Sequence, residues 1–225
     1  HQDAMEFVSD RLKNAKKQKS IVPKDIVLYG FGRIGRQVLK AMKERAGDTL
    51  EVVAINDLGS IEANAHLVKY DSTHGTLPYD VETSKEGFKI LNQNIKVFAE
   101  RDPANLPWGK VGVDVVLECT GLFLDKTSAE KHIKAGAKKV IISAPAKEVD
   151  FTVVQGVNSS ELRKEHNVIS NGSCTTNCLA PVAMVLENNF GIEYGYMTTI
   201  HSYTGDQKLL DTLHKDLRRA RASGD

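Results

Sequence analysis

Short apolar runs and amphipathic stretches take turns along most of this chain. "DIVLY" (25–29) is a compact apolar run that ends in glycine. "RIGRQVLKAMKERA" (33–46) carries its apolar residues at helical spacing, and Gly47 after it suits a helix C-terminus. "LEVVAIN" (50–56) is a second run, followed by the helical "IEANAHLVKY" (61–70). Strand, helix, strand, helix is the signature of a parallel sheet with crossover helices. "FKILNQNIKVFAE" (88–100) breaks the alternation and predicts an antiparallel hairpin turning at "NQN". Alternation resumes with "VDVVLECTG" (113–121), the helical "DKTSAEKHIKAG" (125–136), "KKVIISAP" (138–145), "DFTVVQGVN" (150–158) and "NVIS" (167–170). These strands are continuously apolar, as expected of a sheet covered on both faces.

The texture changes after residue 171. Residues 174–190 form one long helix-periodic segment, and "YGYMTTIHSY" (194–203) predicts an extended strand. The remainder, "TGDQKLLDTLHKDLRRARASGD", has no clear period and reads as a long loop. The pattern opens a second domain without finishing it, so a C-terminal truncation is expected. At the other end, Met5, Val8, Leu12 and Ala15 recur at helical spacing and predict an amphipathic helix over 4–19 for packing or oligomer contact. Pro23 then breaks a short linker.

Composition narrows the function classes. Hydrophobic residues make up 41% and charged residues 26%, the balance of an ordinary globular chain. A formal charge of +1 asks for neither nucleic acid nor an anionic membrane. No apolar run approaches the roughly 20 residues of a membrane helix. The charged start lacks the apolar core of a signal peptide. Three cysteines make an odd count that argues against a disulfide scaffold and for a reducing, cytoplasmic compartment.

"GFGRIG" (30–35) fits G-x-G-x-x-G between a predicted strand and a predicted helix. Gly30 permits the tight turn, Gly32 lets backbone N–H groups approach a pyrophosphate, and Gly35 lets helix and strand pack closely. The helix start adds partial positive charge where phosphates sit. Asp57 ends the next strand, 22 residues past Gly35, and suits a ribose-binding acid. A carboxylate there would repel a 2′-phosphate, which favours NAD over NADP. A loop or helix-capping aspartate is the competing reading, and Asn56 beside it could serve the same end.

"SNGSCTTNCLAP" (170–181) holds two cysteines four residues apart. No second cluster of ligands accompanies them, which excludes a zinc clip, and no metal site is expected. A disulfide across adjacent helical turns has poor geometry. Ser173 supplies N-cap chemistry, so Cys174 falls in the first helical turn, where unpaired N–H groups and the helix dipole favour a thiolate. Cys178, one turn deeper, reads as a packed inert thiol, and Cys119 as core. His201 ends the 194–203 strand in polar company, and the other histidines are expected on helices or in loops with no such setting.

Taken together, "GFGRIGR", "AIND", "YDSTHG", "ERDP", "ECTG", "VIISAP", "ISNGSCTTNCLAP" and "TTIHSYTGDQKLLD" closely resemble the glyceraldehyde-3-phosphate dehydrogenase family, from about residue 25 onward. The resemblance implies an α/β fold: a Rossmann-like doubly wound parallel sheet over 25–173, then the beginning of an α+β catalytic domain over 174–225. Residues 1–24 form a helical extension outside the family pattern. It implies a cytoplasmic homotetramer, NAD as cofactor with NADP possible, and glyceraldehyde 3-phosphate with inorganic phosphate as substrates. Cys174 matches the family nucleophile and His201 its general base. Gly30, Phe31, Gly32, Arg33 and Ile34 match the cofactor loop, Asp57 the ribose acid and Arg101 the residue near adenine. Thr120, Gly121 and Ser143 match the pyrophosphate and nicotinamide path. Ser173 and Thr175 resemble the inorganic-phosphate site, and Thr204 and Asp206 the substrate-phosphate and ribose region.

The sequence departs from the family at several positions. Tyr29 stands in place of the Asn usual before "GFGRIG", and Gly172 in place of Ala. Thr212 and Leu213 replace a Leu-Pro frequent in NAD-using relatives. Arg218, Arg219 and Arg221 read as interface or solvated residues of a long loop. Beyond the loop the family carries further substrate-binding residues and most of its catalytic sheet, so these 225 residues alone are expected to be inactive. Two other readings stand beside this one: erythrose-4-phosphate dehydrogenase, which uses the same thiol chemistry, and a non-catalytic NAD-binding or redox-sensing module.

Overall fold

The computed structural model describes residues 25–46, 49–91 and 93–224. The helix expected over 4–19, the extension 1–24 and the Gly47 cap lie outside the described residues. The described residues divide into two compact units, the first ending at Pro181 and the second beginning at Val182.

The first unit is built on one sheet. Its parallel strands in chain order are β1 (Asp25–Tyr29) and β2 (Glu51–Asn56). The two-stranded β3 (Tyr70–Asp71) and β4 (Gly75–Thr76) stand apart as a separate small ribbon. Then come β5 (Val81–Thr83), β6 (Gly87–Ile90), β7 (Gln93–Phe98), β8 (Val115–Glu118), β9 (Lys139–Ile142), β10 (Phe151–Thr152) and β11 (Val168–Ser170). The order across the sheet is β10-β11-β9-β8-β1-β2-β7-β6-β5. All neighbours from β10 to β7 run parallel, and β6 and β5 add an antiparallel edge. Chain order therefore reverses between β1 and β8, which makes the ends of those strands the switch point of a doubly wound sheet.

Helices are α1 (Arg33–Arg45), α2 (Ile61–Lys69), α3 (Trp108–Val111), α4 (Lys126–Lys134) and α5 (Cys174–Phe190). β1 shows why both sheet faces must be covered. Its alternate residues Ile26 and Leu28 enter one cluster with Leu39 and Val52, while Val27 and Tyr29 enter another with Ala54, Trp108 and Val116. A strand buried on both faces has no polar side to turn outward, hence its continuous apolar run. Local caps set the helix starts: Ser60 accepts from the Ala63 N–H before α2, and Asp125 from the Ser128 N–H before α4.

Three expectations need correction. The hairpin forms, but Gln93 and Asn94 are already in β7 and the turn falls earlier, with Leu91 at φ 54°. Of the run 150–158 only Phe151 and Thr152 form a strand; Asn158 folds back to bond the Val154 N–H and the Thr152 carbonyl, and Gly156 within that turn is at φ 80°. The strand expected at 194–203 is absent. That segment lies in the second unit and pairs with no strand among the described residues, and an extended chain without a ladder partner has no reason to hold strand geometry.

Candidate functional site

At the switch point, the C-terminal ends of β1, β2 and β8 surround a cleft of about 430 Å³. Gly30, Gly32, Asp57, Arg101 and Thr120, far apart in sequence, all line it. Gly30 is at φ 90°, and a side-chain carbon there would lie 2.7 Å from the Thr120 backbone nitrogen and methyl. Gly35 is buried, and a Cβ on it would overlap the Gly30 carbonyl oxygen. Gly32 differs, because nothing lies within 4 Å of where its Cβ would be. That open space sits at the start of α1, which has no side-chain cap and no acid in its first turn. Uncapped N–H groups facing an open cleft are where a phosphate binds. The residues present therefore fit a dinucleotide.

The other loop residues divide by role. The Phe31 ring is buried against Phe88, with centroids 6.0 Å apart, so only its backbone can face the cleft. Arg33 donates to Asp71 Oδ2 at 2.8 Å, which commits its guanidinium away from the loop. Ile34 is half exposed. Asp57 accepts from the Phe31 N–H and the Gly59 N–H, each at 2.9 Å, and so ties β2 to the glycine loop. A carboxylate retains further lone pairs beyond those two for a ligand hydroxyl. Asn56 also borders the cleft, and it exchanges two hydrogen bonds of 2.9 Å with the Glu100 backbone.

Several residues around the cleft have settings that the sequence did not disclose. Tyr29 is buried, donates from its hydroxyl to the Arg101 carbonyl at 3.0 Å, and meets Phe123 and His132 edge-on. Burial, with Glu118, Asp102 and Glu100 adding to it, pushes its hydroxyl up to about 12. His132, expected to have no special setting, is fully buried between Trp108 and Glu118. Its place on the inner face of α4 beside Ala129 was the one available hint. Cys119 also needs correction. It follows β8 and lines the cleft instead of filling the core, and burial pushes its thiol up to about 12, partly opposed by a hydrogen bond with Ser143. Gly121, at φ 72°, lets the chain turn out of β8 here.

The thiol motif starts α5. Ser173 Oγ accepts from the Thr176 N–H at 2.9 Å, the N-cap arrangement, which sets Cys174 in the first turn. Gly172 before it has φ 66°, a conformation that suits glycine better than the Ala of the family pattern. Cys174 is exposed, and Thr175 is half-buried. Cys178 is exposed as well, which corrects its reading as a packed thiol: α5 buries none of its residues, so its second turn has no core to enter. In the second unit, His201 is exposed and its Nδ1 lies 2.7 Å from the Ser202 carbonyl. The Thr204 N–H donates to Gln207 Oε1 at 3.1 Å. Asp206 pairs with His214 at 3.3 Å and with Arg219, and the His214 bond, with Arg219 adding to it, holds its carboxyl below the usual range. Among the described residues there is no metal-ligating group of three or more His, Cys, Asp or Glu, and no helix long and apolar enough to cross a membrane.

Comparison with known proteins agrees with this geometry. Residues 24–126 match the family model for the glyceraldehyde 3-phosphate dehydrogenase NAD binding domain, and residues 173–225 match the model for the C-terminal domain of the same family. The chain is 56% identical over 198 residues to a protein of Xanthobacter flavus named glyceraldehyde-3-phosphate dehydrogenase. It is 55% identical over 199 residues to one of the same name from Pseudomonas aeruginosa, and 54% identical over 199 residues to one from Streptomyces coelicolor. Each alignment covers 88% of this chain but only 59% or 60% of the relative.

Proposed function

Since this chain belongs to the glyceraldehyde-3-phosphate dehydrogenase family, we propose that it is part of an enzyme that oxidises and phosphorylates glyceraldehyde 3-phosphate. In this reading residues 25–173 are the NAD-binding domain and 174–225 the start of the catalytic domain, within a cytoplasmic homotetramer. The cleft at the switch point, with an open glycine at an uncapped helix start, carries the cofactor half of the proposal. Phosphates go to the start of α1, the adenine ribose to Asp57, and Arg101 borders the adenine. When bound, the nicotinamide supplies the hydride acceptor.

The chain's own residues do the rest. The Cys174 thiolate bonds to the aldehyde carbon, and its position in the first turn of α5 favours that anion. His201 takes the hydroxyl proton of the resulting adduct. Oxidation leaves an acyl group on sulfur as a thioester. Inorganic phosphate, oriented by the hydroxyls of Ser173 and Thr175, attacks the acyl carbon and releases the thiolate as the acyl phosphate leaves. Thr204 and Asp206 border the substrate phosphate and ribose. Cys174 and His201 belong to different units of this chain, so their pairing rests on the motif match. The names of the relatives do not favour the four-carbon aldehyde phosphate as substrate.

Calorimetric titration tests the reading on the 225 residues themselves. NAD binding is expected, and loss of binding in Asp57→Ala is expected with it. A purified chain that ignores NAD would sink the cofactor half. Turnover by these residues alone is expected to be negligible, because the segment bearing His201 has no sheet pairing among the described residues. Steady NAD reduction with aldehyde and phosphate would refute that.

A further inference from the structure

Beneath the cleft runs a chain of hydrogen bonds whose direction is fixed by its first member. An indole nitrogen can only donate, and Trp108 Nε1 donates to His132 Nδ1 at 3.1 Å. His132 Nδ1 must therefore keep its lone pair, and the ring hydrogen sits on Nε2. That nitrogen faces Glu118 Oε2 at 3.4 Å. Glu118 accepts a second time on Oε1, where the Thr120 N–H arrives at 2.7 Å and the Thr120 hydroxyl also bonds. Trp108, His132 and Glu118 are each no more than 1% exposed, so no water can take over a broken link.

Thr120 is the member of this chain that reaches the cleft. Both of its hydrogens are spent on Glu118. One lone pair of its hydroxyl receives the Leu122 N–H at 3.0 Å, which leaves the other for a ligand. A group in this state cannot donate to a phosphate; it can only accept.

We infer that Glu118, held by His132 and Trp108, is a positioning residue that locks Thr120 as a hydrogen-bond acceptor for a hydroxyl or amide of the bound dinucleotide. The inference rests on the reading of the cleft as the NAD site. It divides the labour of the cleft: the start of α1 donates to the phosphates, while Asp57 and Thr120 accept from the sugar or amide groups. Glu118→Gln breaks the arrangement without changing shape. Its amide N–H₂ must face either the His132 Nε2–H or the two Thr120 donors, and in either case donor meets donor.

The test is calorimetric titration of NAD into the unaltered chain, Glu118→Gln, Thr120→Val and the double variant, with thermal melts to confirm folding. Each single change is expected to raise Kd about three- to tenfold, the worth of one neutral hydrogen bond. The double variant is expected to bind no more weakly than Thr120→Val alone, because Glu118 acts through that hydroxyl. Unchanged affinity in Glu118→Gln, or losses that multiply in the double variant, would overturn the inference and leave the NAD reading intact. No NAD binding by the unaltered chain would end both. Should Glu118→Gln fail to fold, Thr120→Ser decides. Normal binding by the serine variant beside weak binding by the valine variant supports the acceptor role, and equal binding by the two rules it out.

Discussion

Three glycines within six residues meet three different physical demands, and substitution separates them. At Gly35 an added methyl runs into the Gly30 carbonyl, so Gly35→Ala should lower the melting temperature markedly or prevent folding, read by circular dichroism. At Gly32 the same methyl meets no protein atom. Gly32→Ala should therefore melt as the unaltered chain does and still bind NAD at least tenfold more weakly, roughly the cost of about 1.4 kcal/mol in affinity. Tyr29 gives a pH signature. Its hydroxyl titrates at 10.0 when unfolded and about 12 when folded. The protonated form is the one the fold prefers, so this contribution is whole below pH 10.0 and disappears as pH rises through about 12. Tyr29→Phe should flatten the alkaline limb of a urea-midpoint curve in that window and cost about 1 kcal/mol at neutral pH through the lost bond to Arg101. The glycines and Asp57 were legible in the sequence because their demand is local, a turn and the end of the next strand. Glu118, His132 and Trp108 were not, and Tyr29 showed only as a departure from the family pattern. Their partners lie 14, 24 or 72 residues away, and no spacing rule connects them.

At the scale of elements, Asp71 clasps the first crossover helix to the small ribbon. Its Oδ2 accepts from Arg33 and Gln37 of α1 at 2.8 Å, and its Oδ1 from the Thr73 and His74 N–H groups of the turn at 2.9 Å. The His74 backbone bond, with Arg33 and Thr73 adding to it against the cost of burial, holds the carboxyl well below its ordinary 3.8. A depressed carboxyl contributes stability above 3.8 and loses it as pH falls. Asp71→Asn should therefore lower the urea midpoint at pH 7, with the gap to the unaltered chain closing in acid. The alternating strands and helices were readable because each fully buried strand must be apolar throughout. The two-residue strands β3 and β4 were not, since so short a pairing leaves no periodicity, and β10 was read too long for the same reason. The missing strand at 194–203 shows the converse: its residues have strand character, but pairing is a property of the neighbours and not of the segment.

On the scale of the whole molecule the two units differ in how their apolar residues are spent. The first packs its large side chains into clusters around the sheet. The second leaves Tyr196, Ile200 and Leu213 almost fully exposed and has no strand among its described residues. Segments without sheet pairing or buried contacts open readily to proteases. Limited proteolysis should trim the chain within 192–224 while a fragment spanning 25–181 persists and still binds NAD; survival of the tail alongside cuts in the sheet would contradict this.

The indole that orders the buried hydrogen bonds is also the sole tryptophan of the chain, and it lies in the nucleotide-binding unit. Three of the six tyrosines, Tyr194, Tyr196 and Tyr203, lie in the other unit. Emission excited at the red edge of the spectrum thus comes from one unit alone, while near-ultraviolet absorbance sees both. A single unlabelled sample carries two optical channels, and a melt followed in each would time the loss of the sheet separately from whatever the tail does.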